Sequence, residues 1–235
     1  MEKQKIIVVT GASSGVGEDV TLRFARRGWT VCALARGPQA LERLRAADPK
    51  HIFPFPCDVS RPDQVGAAVK AVVDTHGGID VLVNNAAVFE ITPFEGQDVA
   101  RMTEIIDTNL KGLMYCTRFV LPGMIGKKSG MIVNIASVAG THGLPGQAAY
   151  CASKHGVVGF GDALAQEVVG KGVRVATLCP GGIDTPLWHG KTAYPGDLSK
   201  TMRTGDVGKL VEYVVDLPAG VVLKQVIFFP TNEWH

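Results

Sequence analysis

The chain has 235 residues, 46% of them hydrophobic and 20% charged, and its 24 basic and 22 acidic side chains leave a formal net charge of +2. That length suits a single α/β domain that buries a sheet between two helix layers. So even a charge balance speaks against nucleic acid or an anionic membrane as the main partner, and no apolar run reaches the roughly 18 residues of a membrane span.

Strand-like and helix-like segments alternate along the chain. An apolar strand is expected over 5–10, then a helix over 16–27, a strand over 30–35 and a helix over 38–47. A third strand over 51–57 contains Pro54 and Pro56, which demote it to a sheet edge. The helix over 61–76 is expected to start from a Ser60 cap, with Asp63 three residues on. A strand over 79–84 precedes a long helical stretch over 98–125, read as two helices or one bent one. A strand over 131–136, a helix over 148–170, a strand over 173–179, a helix over 206–217 and a strand over 225–229 complete the series. Most strands are apolar throughout, so both faces must be covered. One doubly wound Rossmann-like sheet of about seven mainly parallel strands follows, as a single domain over 1–235. The irregular stretch over 186–205 is expected to be a short substrate lid.

Three positions carry chemistry. The first strand ends in Thr10-Gly11-Ala12-Ser13-Ser14-Gly15-Val16-Gly17, and a helix follows. Gly11 allows the turn, Gly15 lets the backbone approach a pyrophosphate, and Gly17 lets the helix pack closely. The helix start offers free N–H groups to phosphates. Where the second strand ends, an acid would bind the ribose 2′-hydroxyl of NAD; Arg36 stands there instead, a planar cation suited to the 2′-phosphate of NADP(H). Finally, Tyr150 and Lys154 share one helix face. An ammonium about 4 Å from a phenol is worth roughly 4 kcal/mol at an effective dielectric near 20, enough to bring the phenol toward neutral pH. Ser137 lies at the end of the fifth strand, on the carboxyl edge where ligands bind, and Asn109 is a polar residue in an otherwise buried helix.

With these residues in place the chain resembles the short-chain dehydrogenase/reductase family, in its branch of about 250 residues. The resemblance is carried by TGASSGVG, Cys57-Asp58-Val59, Asn84-Asn85-Ala86-Ala87, Asn109, Ser137, Tyr150-x-x-x-Lys154 and Pro180-Gly181-Gly182-Ile183-Asp184-Thr185, and spans nearly the whole chain. It implies an NADP(H)-dependent oxidoreductase between carbonyl and alcohol. Tyr150 would be the general acid or base and Lys154 would lower its pKa and hold the nicotinamide ribose. Ser137 would bind the substrate oxygen, and Asn109 would hold a water in a proton relay. It also implies a cofactor site made of Gly11, Ser13, Ser14, Gly15, Val16, Gly17, Arg36, Asp58, Val59, Asn85, Ala86, Ala87, Tyr150, Lys154, Pro180, Gly181, Ile183 and Thr185, and assembly as a homodimer or homotetramer. Three features depart from the pattern: Ala87 replaces a common glycine, the segment after Thr185 is short, and the end lacks an Asp-Gly-Gly motif.

Other positions are weighed more plainly. Trp188, His189 and Tyr194 fall in the expected lid, and His142 and Leu144 near the pocket mouth. Met102, Met114 and Phe119 read as core or subunit interface, and Cys151 as packing. The five cysteines (Cys32, Cys57, Cys116, Cys151, Cys179) contain no C-x-x-C pair and are expected as free thiols of a cytoplasmic protein, with no metal site. Three competing readings are an NADP-binding regulatory protein without turnover, an NAD-dependent alcohol dehydrogenase and a sugar-nucleotide epimerase or dehydratase. The last shares Tyr-x-x-x-Lys but needs a larger substrate region than the 50 residues after Thr185.

Overall fold

The computed structural model describes residues 4–188 and 196–232. β1 (Ile6–Thr10) turns into α1 (Gly15–Arg26), followed by β2 (Thr30–Ala35), α2 (Pro38–Ala47), β3 (Ile52–Pro56), α3 (Pro62–His76) and β4 (Val81–Asn84). Then come α4 (Val99–Ile106), a π-helical segment Asp107–Gly112, α5 (Leu113–Gly126), β5 (Gly130–Ile135), α6 (Ala148–Val168) and β6 (Val173–Pro180). Two short strands, β7 (Ile183–Asp184) and β8 (Met202–Arg203), precede α7 (Thr204–Asp216) and β9 (Gln225–Phe228).

The main sheet has the order β3-β2-β1-β4-β5-β6-β9, with every pair parallel. It is a Rossmann-like α/β sheet. β1 shows why the strands had to be apolar on both faces. Ile7 and Val9 join a core with Val20 and Phe24 of α1 and Val207 and Val211 of α7. Ile6 and Val8 join the opposite core with Val65 of α3, Val120 of α5 and Leu164 of α6. β3, with its two prolines, is an edge strand. The chain winds outward from β1 to β3 and then resumes at β4 on the other side of β1. This reversal opens a crevice at the carboxyl ends of the strands, where α/β sheets bind ligands.

Several local expectations are corrected. Ser60 does not cap α3: its hydroxyl donates to Asp58 Oδ1 at 2.7 Å, the cap position falls to Arg61 without a side-chain bond, and Pro62 supplies the preset first turn. The stretch over 98–125 is two helices joined through the π segment, which holds Asn109. Met114 and Phe119 are not core residues; they stand exposed on α5. The base of the expected lid is pinned, because Ile183 pairs with Met202 and Asp184 with Arg203.

Phe24 fixes α1, and with it the glycine turn, to the sheet: it is fully buried and packs edge-on against Trp29 at 4.9 Å. Phe24→Ala should cost about 3–5 kcal/mol. Thermal unfolding should show this as a fall in Tm of roughly 10 °C for a domain of this size; an unchanged Tm would contradict the packing described.

Candidate active site

The site begins with a clasp between β1 and β4, the two strands that flank the switch point. The Thr10 hydroxyl accepts from the backbone N–H groups of Asn85 at 3.0 Å and Ala86 at 3.1 Å. The Asn85 amide answers by donating to the carbonyls of Thr10 at 3.0 Å and Gly11 at 3.2 Å. The turn leaves this clasp through Gly11 at φ +63. A Cβ on Gly17 would lie 2.2 Å from the Gly11 carbonyl oxygen, so α1 approaches the turn more closely than any other residue allows. Ser14 stands at the helix N-cap with extended backbone and makes no side-chain capping bond. The first-turn N–H groups of α1 therefore keep their capacity for an anion.

A cleft of about 810 Å³ lies over this turn. Its β2–β3 half is lined by Arg36, Asp58, Val59 and Thr108, and its β5–β6 half by Ser137, Tyr150, Lys154, Pro180, Gly181, Ile183 and Thr185. Gly11, Ser13, Ser14, Gly15, Val16, Asn85, Ala86 and Ala87 line the cleft as well. The residues fit a dinucleotide: a glycine turn and an uncapped helix start in the middle, a guanidinium at one end, and a hydroxyl pair with an ammonium at the other. Asp58 has one carboxylate oxygen engaged by the N–H and hydroxyl of Ser60.

The β5–β6 end of the cleft is buried. Tyr150 and Lys154 lie in the first turns of α6, 7% and 3% exposed. The Lys154 ammonium donates to the Ile135 carbonyl at 2.9 Å and sits 5.6 Å from the centre of the Tyr150 ring. Ser137 follows β5, accepts from the Ala139 N–H at 3.2 Å, and places its hydroxyl where it favours the ionised form of the Tyr150 phenol. Burial pushes the Tyr150 phenol up to about 12, against the opposing effect of the Ser137 hydroxyl. Burial pushes Lys154 down to about 8. This corrects the expected electrostatics. The ammonium lies over the ring and is held by a carbonyl, and desolvation of the phenolate dominates. The chain's own groups keep the phenol protonated at neutral pH.

Asn109 and Gly17 do not line the cleft among the described residues; both act one layer behind it. Asn109 is 1% exposed, and its Oδ1 accepts from the Val88 N–H at 2.8 Å. Its Nδ2 donates to the Val88 carbonyl at 2.9 Å and to Ser153 Oγ at 3.1 Å. The amide oxygen and one amide proton thus hold Val88, itself a cleft residue, and the other proton is spent on Ser153. An apolar wall that sequence reasoning missed stands beside Tyr150. Phe89 packs edge-on against the Tyr150 ring at 4.7 Å and against Trp188 at 4.7 Å, while the Trp188 indole donates to the Ile183 carbonyl at 2.9 Å. Phe89 and Ile91 follow the Asn-Asn-Ala-Ala segment, and that position was the available signal. Leu144 lines the cleft and His142 does not; His189 and Tyr194 lie outside the described residues. Cys151 is buried, with its sulfur accepting from the Leu144 N–H at 3.4 Å.

Gly17→Ala should disrupt the clasp, because the new methyl would also lie 2.5 Å from the Asn85 amide nitrogen. In a thermal-shift assay the nicotinamide dinucleotides should protect the variant less than they protect the natural chain; equal protection would refute the role given to this contact.

The short chain dehydrogenase family model matches residues 5–195. The 3-oxoacyl-acyl-carrier-protein reductase FabG of Thermotoga maritima is 39% identical over 186 residues, covering 78% of this chain and 76% of the relative. A 3beta-hydroxysteroid dehydrogenase of Mediterraneibacter gnavus is 37% identical over 198 residues, covering 81% and 70%. Among solved structures, the closed form of a serine dehydrogenase complexed with NADP+ superposes with a TM-score of 0.90 at 30% identity, covering 98% of this chain and 96% of the other. The chain belongs to the short-chain dehydrogenase/reductase family, as an enzyme acting between CH–OH and C=O groups.

Proposed function

We propose that the enzyme is an NADP(H)-dependent reductase of a ketone, aldehyde or 3-oxoacyl carbonyl, with Tyr150 as its general acid. The observation that carries this reading is the juxtaposition of the Ser137 and Tyr150 hydroxyl groups at one end of a cleft whose other end presents Arg36. The cofactor would supply the hydride. Ser137 holds the carbonyl oxygen, and Tyr150 donates its proton to that oxygen as the alcohol forms; in oxidation the same phenolic oxygen takes the proton back. A phenol held protonated near neutral pH suits the reductive direction. Lys154 places the one buried positive charge of this half of the cleft, among the described residues, behind the Tyr150 ring.

Asn109 acts by position in this scheme. With both amide protons committed to Val88 and Ser153, a water relay at this residue would use its backbone carbonyl. Gly11, Ser13, Ser14, Gly15 and Val16 would hold the pyrophosphate, with Gly17 closing the helix onto the turn. Asp58, Val59, Asn85, Ala86 and Ala87 would hold the adenosine, and Pro180, Gly181, Ile183 and Thr185 the nicotinamide. Arg36 would take the 2′-phosphate, and the solved relative with NADP+ supports that choice. A cytoplasmic homodimer or homotetramer belongs to the same reading, supported by the buried free thiols and the exposed Met114 and Phe119 of α5.

Tyr150→Phe should lower kcat for carbonyl reduction at least about a hundredfold, the lower range of general-acid contributions. The Kd for NADPH should change less than about threefold. A variant with near-native turnover would remove the proposed acid. Arg36→Ala should weaken NADPH about tenfold or more and NADH little, because a charge-assisted phosphate contact is lost; equal effects on both cofactors would contradict the NADP(H) assignment.

A further inference from the structure

Arg36 is not alone at its end of the cleft. Its Nη1 lies 3.6 Å from Oε1 of Glu104, which projects from α4. The other oxygen of Glu104 is taken by Arg101 Nη1 at 2.5 Å. Arg101 is anchored in turn, since its Nη2 donates to the Phe89 carbonyl at 2.7 Å. Thr108, one turn beyond Glu104, lines the same half of the cleft as Arg36 and Asp58. The Arg36–Glu104 contact therefore spans from the end of β2 to α4 beside the place where adenosine would enter.

The charges of this region have unequal freedom. The Arg36 side chain is 63% exposed and can turn toward a ligand, whereas Glu104 is 39% exposed and clamped by a guanidinium that a backbone carbonyl holds. A phosphate monoester carries about −1.5 to −2 charges near neutral pH. If it takes Arg36, Glu104 stays within a Debye length of roughly 8–10 Å. The carboxylate then acts twice against the phosphate: it occupies the guanidinium beforehand and repels the dianion afterwards. A 2′-hydroxyl meets neither penalty. Glu104 stands behind the lining, and Asp58, the one acid that lines the cleft among the described residues, has one oxygen already engaged by Ser60.

We propose that Glu104, held by Arg101, is a coenzyme-specificity residue that sets the 2′-phosphate affinity of Arg36 below the value the arginine alone would give. The proposal rests on the NADP(H) reading above and deepens it. Its consequence is a moderated preference for NADPH and a faster release of the phosphorylated cofactor.

The test measures binding apart from turnover, by calorimetry on the full chain with 2′,5′-ADP and 5′-AMP as probes, repeated with NADPH and NADH. Glu104→Gln retains an acceptor for Arg101 and removes the charge. It should tighten 2′,5′-ADP and NADPH about three- to tenfold at low ionic strength, and leave 5′-AMP and NADH within twofold. Added salt should shrink the gain. Unchanged or weaker 2′,5′-ADP binding would overturn the proposal, as would equal tightening of both probes, which would mean a merely loosened cleft. Arg36→Ala separates the two levels. If it fails to weaken 2′,5′-ADP, the NADP(H) reading itself falls; if it weakens 2′,5′-ADP while Glu104→Gln does nothing, only the role of Glu104 falls.

Discussion

A lysine ammonium buried behind a tyrosine ring is the constraint on which the β5–β6 end of the cleft depends. Burying such a charge is costly unless it is hydrogen-bonded, and the Ile135 carbonyl provides a bond at 2.9 Å. That carbonyl lies at the last residue of β5, so the ammonium is held by the strand that also delivers Ser137. One helix turn separates Lys154 from Tyr150, so fixing the lysine on β5 also fixes where the phenol stands. The surroundings then decide the proton. Phe89 shields one side of the Tyr150 ring and burial raises its pKa, which keeps the phenol protonated.

The rest of the fold serves to hold this end at a set distance from the glycine turn. The reversal of strand order between β1 and β4 opens the crevice, and the reciprocal bonds of Thr10 and Asn85 keep its two lips in register. Asn109 extends that control from the π segment by gripping both backbone polar atoms of Val88. π segments recur at functional sites because the extra residue re-aims side chains within a helix. At the far side, the Trp188 indole is tied to the Ile183 carbonyl, and β7 pairs with β8. The apolar wall beside Tyr150 and the β7 strand therefore share one set of contacts.

Much of this was legible in the sequence, for specific reasons. Continuous apolar runs announced strands covered on both faces, and Pro54 and Pro56 announced the edge. The glycine spacing and the Tyr-Lys interval of four carried geometry directly, since both depend on local backbone alone. What the sequence did not disclose depends on tertiary neighbours. The Ser60 hydroxyl could have capped α3 but found Asp58 instead. The π turn at Asp107–Gly112 has no local signature distinct from a bend. The sign of the effect on Tyr150 required the depth of burial and the position of the ammonium relative to the ring, and spacing on a helix supplies neither. Phe89 and Glu104 escaped notice because nothing in their own segments shows what lies across the cleft.

The central claim is that burial sets the protonation of the Tyr150–Lys154 pair, and the lysine reports on it most directly. NMR titration of the chain labelled at lysine Cε, with Lys154→Arg used to assign the resonance, should show a midpoint for Lys154 displaced down to about 8. A midpoint at the ordinary lysine value near 10.4 would mean that the ammonium is solvated, and would contradict the account.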